Sequence, residues 1–68
     1  MLKIENEQEE DGRWIAEIPA LPGVLAYGTT KADANAKAQA LALRVIADRL
    51  DHGEPLIGSQ LRIIAELR

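Results

Sequence analysis

Apolar and polar residues alternate in three short stretches near the amino terminus, and this period of two predicts half-buried β-strands. The first strand is predicted over residues 2–9, where Leu2 and Ile4 share one face. The second covers residues 13–18 and the third covers residues 24–27. We therefore expect the first part of the chain to form a sheet.

Glycine and proline residues separate these strands. Asp11 and Gly12 are typical of a tight hairpin turn, because they tolerate the positive φ angles that such turns require. Pro19 and Pro22 have no backbone N–H to donate, so the second strand must end there or lie at an edge. Pro22 followed by Gly23 predicts a type II turn. The first three strands should then form an antiparallel meander.

A long helix is predicted after the third strand, over residues 31–52, where strong helix formers dominate. Thr30 suits the N-cap position, and Asp33 follows three residues later in a variant of the capping box. Gly53 marks the helix end, because glycine is favoured in the left-handed position that follows a helix. Apolar residues alternate again over residues 61–67 and predict a last strand.

The predicted element order is β-β-β-α-β, an α+β fold in a single domain over residues 1–68. A right-handed crossover through the helix would place the fourth strand beside the first. The prediction is a four-stranded mixed sheet of order 3-2-1-4, with the helix packed on one face.

The predicted helix carries two nearly opposite apolar stripes, although packing on a sheet requires only one. Leu43 and Leu50 lie on the second stripe, and Ile46 lies between the two. A chain of 68 residues with two aromatic side chains has a thin core, and such domains often need a partner subunit. We expect a homodimer with contacts at Leu43, Ile46 and Leu50. Alternatively, the alanines of this stripe are only good helix formers on a solvated face.

Acidic residues are concentrated at the amino terminus. Residues 1–17 contain six acids and two bases, and the net charge of the whole chain is −3. This distribution disfavours binding to nucleic acid, whose phosphates need Lys and Arg, and favours a basic protein partner. The alternative is that these acids form a solvated turn and edge.

Residue types for catalysis or metal binding are scarce. The chain has no cysteine and one histidine, His52, at the predicted helix end, where a cation is favoured by the helix dipole. We expect no enzyme activity, no metal site and no cofactor. A metal-dependent nuclease is the remote alternative, and it would use the strand carboxylates Glu5, Glu7, Glu17 and Glu66.

The amino terminus is charged from Lys3 onward and lacks the apolar run of a signal peptide. No stretch approaches the roughly 20 apolar residues of a membrane span. We expect a cytoplasmic protein without membrane contact.

One ordered motif runs through all these elements. It consists of Asp-Gly, an aromatic residue, Ala, Ile-Pro, Leu-Pro-Gly, Gly-x-Thr and an alanine-rich helix, here Asp11, Gly12, Trp14, Ala16, Ile18, Pro19, Leu21, Pro22, Gly23, Gly28, Thr30, Ala34 and Ala38. The set resembles the HicB-type antitoxins, also called the UPF0150 group, over essentially the whole chain.

The resemblance implies a partial ribonuclease-H-like fold and a role as an antitoxin. Members of this family neutralise HicA-type toxins, which are small basic ribonucleases that cleave mRNA with one catalytic histidine, by covering the toxin's active surface. Many members also carry a carboxy-terminal DNA-binding domain. We expect no such domain here, and no direct contact with nucleic acid.

We therefore predict a binding protein for a HicA-type toxin. The residues expected to make or shape this contact are Glu5, Glu7, Glu9, Glu10, Asp11, Trp14, Leu21, Pro22 and Tyr27. For Trp14, a core position under the helix is an equally good interpretation. The alternative function is an orphan structural or regulatory module without a toxin partner.

Overall fold

The computed structural model describes residues 3–56, 58, 61, 62 and 65. Three β-strands precede a long α-helix: β1 at Glu5–Gln8, β2 at Trp14–Glu17, β3 at Leu25–Gly28 and α1 at Lys31–Asp51. The strands form an antiparallel sheet with β2 in the centre. α1 packs on one face, against β2 and β3. The described residues thus form a two-layer α+β arrangement.

The predicted fourth strand is wrong. The described residues of that segment, Leu61, Arg62 and Ala65, are helical, and the rest of the prediction, at residues 63, 64, 66 and 67, lies outside the described residues. Leu, Arg, Ala and Glu are good helix formers, and so short a run cannot separate a strand from a helix by periodicity. The mixed sheet of order 3-2-1-4 is replaced by the antiparallel order β1-β2-β3. The described residues therefore do not form the ribonuclease-H-like arrangement that the resemblance implies.

The β1–β2 hairpin turns at the Asp-Gly pair. Gly12 has a φ of +91°, whereas Asp11 keeps a negative φ. Gly12 N–H donates to Glu9 O at 2.9 Å, and Glu9 N–H donates to Arg13 O at 2.7 Å. A four-residue turn with one left-handed glycine therefore closes the hairpin and fixes the register of β1 on β2.

The corner between β2 and β3 consists of two successive turns with a proline at the second position of each. Leu21 N–H donates to Ile18 O at 3.0 Å, and Val24 N–H donates to Leu21 O at 3.0 Å. The second turn has the predicted Pro22-Gly23 pair, with a φ of +88° at Gly23, as a type II turn requires. Ile18, Leu21 and Val24 are all buried, so the corner closes one end of the core.

The helix start is capped by side chains, as predicted. Thr30 Oγ1 accepts a hydrogen bond from Asp33 N–H at 3.0 Å. Asp33 Oδ2 in turn accepts from Thr29 N–H at 3.1 Å and lies 3.2 Å from Lys37 Nζ. The N–H of Thr29 and the Lys37 ammonium hold the pKa of the Asp33 carboxyl below its ordinary value. The charged form of Asp33 therefore stabilises the helix start.

The helix ends in a Schellman motif. Gly53 has a φ of +74°, its N–H donates to Leu50 O at 3.0 Å, and Glu54 N–H donates to Arg49 O at 2.9 Å. The predicted glycine stop is therefore present.

Small residues make the contact between α1 and the sheet. Every fourth residue from Ala34 to Ile46 is buried, and three of these four are alanines. Gly28 in β3 lies against the helix start, because a Cβ there would overlap the backbone nitrogen of Ala34 and lie 2.8 Å from its Cα. On the same face, at the β1 edge of the sheet, Asn6 Nδ2 donates to Asn35 Oδ1 in α1 at 2.6 Å.

Replacing Gly28 by alanine should destabilise the fold, because the new Cβ would overlap the Ala34 backbone. We expect the free energy of unfolding to fall by about 1–3 kcal/mol, the usual cost of overpacking, in denaturant titrations followed by circular dichroism. Gly58→Ala is the control, since a Cβ at Gly58 meets no atom within 4 Å. Equal stability of Gly28→Ala and wild type would contradict this account of the packing.

The Asp33 cap should make stability depend on acid pH. Its pKa is lowered in the folded state, so its contribution is present above the unfolded value of about 3.9 and is lost as pH falls through the lower folded value. Asp33→Asn keeps an acceptor for Thr29 N–H but removes the charge. The melting temperature of Asp33→Asn should lie below wild type at neutral pH, and the difference should shrink in acid. A pH-independent difference would assign the effect to something other than the charge.

Candidate functional site

The two faces of the sheet differ in chemistry. Strand side chains alternate, and the helix covers the face that contains Ala16 and Gly28. The opposite face, here called the open face, is formed by Glu5, Glu7, Ile15, Glu17, Leu25 and Tyr27. Among the described residues, no helix or strand packs on it.

The open face has two cross-strand rows. In the first row Glu5 of β1 is paired with Glu17 of β2, which is paired with Leu25 of β3. Two carboxylates thus lie directly opposite each other, an arrangement that destabilises a sheet. Glu5 also lies 3.7 Å from Lys3 Nζ, in an exposed ion pair that solvent screens.

The second row is more apolar. Glu7 of β1 is paired with Ile15 of β2, which is paired with Tyr27 of β3. The exposed fractions of Leu25 and Tyr27 are 41% and 43%. The open face therefore combines an acidic side on β1 with an apolar side on β3.

Arg13 lies beside this face and contacts both Tyr27 and Asp11. Its guanidinium carbon is 4.9 Å from the centre of the Tyr27 ring, a cation–π distance. Its Nε donates to Asp11 Oδ2 at 2.8 Å, and its backbone N–H donates to Asp11 Oδ1 at 3.1 Å. The Arg13 N–H and guanidinium together lower the pKa of the Asp11 carboxyl. Asp11 is thus engaged within the chain, and its role as a partner contact stays a prediction.

The remaining predicted acids lie at the hairpin tip. A shallow concavity of about 500 Å³ is lined by Glu7, Gln8, Glu9, Glu10, Asp11 and Arg13. It is open to solvent and continues from the β1 side of the open face. Four of the five acidic residues predicted as contacts, Glu7, Glu9, Glu10 and Asp11, are therefore near one another, whereas Glu5 lies at the other end of β1.

Three predicted contact residues lie elsewhere. Leu21 is fully buried in the corner between β2 and β3, so its role is structural. Trp14 lies on the helix side of the sheet and packs against the core, as the second interpretation of this residue held. Pro22 is exposed in the same corner and belongs to neither of the two rows.

Glu17, Ile15 and Leu25 were missed as candidate contacts. The information needed was the strand register, since Glu17 faces Glu5 only when the hairpin turns at Gly12. Leu25 was predicted to lie in a strand, but the face of the sheet to which its side chain points depends on the length of the corner before it.

The second stripe of the helix is smaller than predicted. Ile46 is 2% exposed and belongs to the core, so it is not available on the surface. Leu43 and Leu50 are 46% and 54% exposed. Their role as dimer contacts stays a prediction.

His52 lies at the C-cap of α1, where its Nδ1 is 2.8 Å from Asp48 O and donates to it. Among the residues that the structure describes, no three His, Cys, Asp or Glu side chains are arranged to hold a metal ion. Glu66, one of the strand carboxylates considered for a nuclease, lies outside the described residues.

No protein-family model, curated protein or solved structure matches the chain. In the described part of the chain, no helix is both long and apolar enough to cross a membrane.

Removing one of the opposed acids should stabilise the sheet. For Glu17→Gln we expect the free energy of unfolding to rise by about 0.2–1 kcal/mol at low salt, because the repulsion across from Glu5 is lost. The gain should shrink at high salt, where charges are screened. Glu54→Gln is the control, since Glu54 lies beyond the end of α1. A salt-independent gain would mean that charge repulsion is not its cause.

Proposed function

We propose that this protein is an antitoxin-like binding protein that covers the active surface of a small basic mRNA-cleaving toxin of the HicA type. We place this action in the cytoplasm and assign no catalytic step to the chain. The resemblance of the Asp-Gly to Gly-x-Thr motif to HicB-type antitoxins supports the proposal.

The observation that carries the proposal is the paired acids of the open face. Glu5 and Glu17 oppose each other and Glu7 follows in the next row, at a cost to the stability of the sheet. A partner that brings Lys or Arg to these positions would turn that repulsion into attraction. A toxin that binds mRNA phosphates must carry such a basic surface. The open face would then compete directly with RNA.

The apolar side of the open face supplies the second part of the contact. Tyr27 and Leu25 are exposed beside the acids, and Arg13 holds the Tyr27 ring in place. Aromatic side chains surrounded by polar residues are frequent centres of binding energy. Acids would therefore guide the partner into position, and Tyr27 would anchor it.

The proposal is tested with the HicA-type protein captured by this chain as bait from its native lysate. The captured protein should be small and basic and should cleave mRNA, and one equivalent of this chain should stop the cleavage. Glu5→Gln, Glu7→Gln and Glu17→Gln combined should slow association by about tenfold or more at low salt. The salt dependence of the association rate should flatten.

The control is a second triple variant with the same net charge, Asp48→Asn, Asp51→Asn and Glu54→Gln, at the far end of α1. It should bind as wild type does. Equal slowing by both triple variants would mean that only net charge matters, and would remove the open face from the mechanism. A captured partner whose RNA cleavage continues in the complex would overturn the proposed function.

A further inference from the structure

The sheet has two free edges, and they differ in chemistry. The β1 edge has the sequence Glu5-Asn6-Glu7-Gln8, with two acids. The β3 edge, Leu25-Ala26-Tyr27-Gly28, has no charged residue. Among the described residues, no strand pairs with either edge. Proteins usually protect a free edge with charges, and only β1 has that protection.

One hydrogen bond at the start of β3 determines which of its residues bond to β2 and which point their backbone groups outward. Ile18 N–H donates to Val24 O at 3.1 Å, in the same register that pairs Ala16 with Ala26. Antiparallel pairs alternate between bonded and non-bonded, so Ala26 points its N–H and C=O at β2. Leu25 and Tyr27 therefore point their N–H and C=O groups out of the sheet, at the free edge.

We propose that two copies of this chain pair through β3, antiparallel, about a two-fold axis between the Ala26 residues. In this register Leu25 of one copy faces Tyr27 of the second copy, and each such pair exchanges two backbone hydrogen bonds. Four inter-chain bonds form in total. The same register also sets each exposed leucine against a tyrosine on the open face, a favourable cross-strand combination.

The edge favours a second copy because it is complementary to itself. A two-fold axis at Ala26 brings apolar residues against apolar residues and satisfies the outward groups of Leu25 and Tyr27 on both chains. The equivalent pairing of β1, about an axis at Glu7, would set Glu7 against Glu7 of the second copy and Glu5 against Glu9. Four of the eight buried core residues are alanines, and so small a core leaves a domain of this size in need of additional burial.

The pairing yields a continuous six-stranded antiparallel sheet. Its two-fold axis is perpendicular to the sheet, so both helices lie on one side and both open faces on the other. The apolar sides of the two open faces, on β3, would meet in the middle, and the acids of β1 would lie toward the two outer edges. This arrangement involves only two copies of the chain, so it does not depend on the proposed toxin and can be tested with the isolated protein.

Proline substitution tests the edge directly. Leu25→Pro removes an N–H that points out of the sheet, so the β2–β3 ladder keeps its bonds while the inter-chain ladder loses one bond per copy. Gln8→Pro is the matched control, because the Glu9 N–H to Arg13 O bond places Gln8 N–H at the free edge of β1. We expect the dimer dissociation constant of Leu25→Pro to rise by at least about tenfold. Sedimentation equilibrium should show wild-type affinity for Gln8→Pro.

Circular dichroism reports whether each variant is folded. If Leu25→Pro does not fold, Leu25→Lys decides, since an edge lysine opposes pairing without altering the backbone. In wild type, amide exchange at Leu25 and Tyr27 should slow as protein concentration rises, and exchange at Asn6 and Gln8 should not. A monomeric wild type, or a folded Leu25→Pro that dimerises normally, would overturn the proposal. Loss of the dimer in Leu43→Glu, with Leu25→Pro unaffected, would assign the interface to the helix instead.

Discussion

The close approach of α1 to the sheet is the constraint on which the rest of the structure depends. Gly28 has no room for a side chain against Ala34, and the helix presents alanines where it crosses the strands. Small residues bring two layers close together but bury little apolar area each. The helix and the sheet therefore pack closely, but the core between them is small. The larger apolar residues Ile18, Leu21, Val24 and Ile46 are needed to fill what remains.

A second constraint follows from the first. Since the helix packs on one face, against β2 and β3, the polarity of the other face is free to vary without loss of the core. The open face contains opposed carboxylates and exposed apolar side chains. Opposed carboxylates reduce the stability of an isolated sheet, and exposed apolar side chains reduce its solubility. Such features are common where a surface is shaped for binding rather than for stability. In this molecule the core and the open face share the same strands but no side chains.

Local signals in the sequence were sufficient for the elements whose ends are marked by special residues. Thr30 and Gly53 delimit the helix, and Gly12 and Gly23 form their turns, because each backbone position there has few alternatives. The segment at residues 61–67 has no such marker inside it, and alternation alone gave a strand where the described residues are helical. The antiparallel meander could be predicted, whereas the topology that needed a fourth strand could not.

The candidate site shows a different limit. The acids of the first strand were identified from charge alone, but Glu17 and Leu25 became visible only through the pairing of strands. Leu21 and Ile46 were predicted at the surface, because the sequence alone does not show how much of a turn or of a helix face is buried. Composition indicates what kind of surface to expect, and register decides which residues form it.

The doubly turned corner between Ile18 and Val24 has a consequence for how this surface can change during evolution. The corner is closed by its own hydrogen bonds, and its residues Ile18, Leu21 and Val24 are buried, so its length is fixed by the core. One inserted residue would invert β3, turning Tyr27 into the helix and Gly28 outward. A gain or loss of one residue in this loop is therefore incompatible with the packing of Gly28 against α1. Change in the open face must come from substitution at alternate strand positions, one side chain at a time.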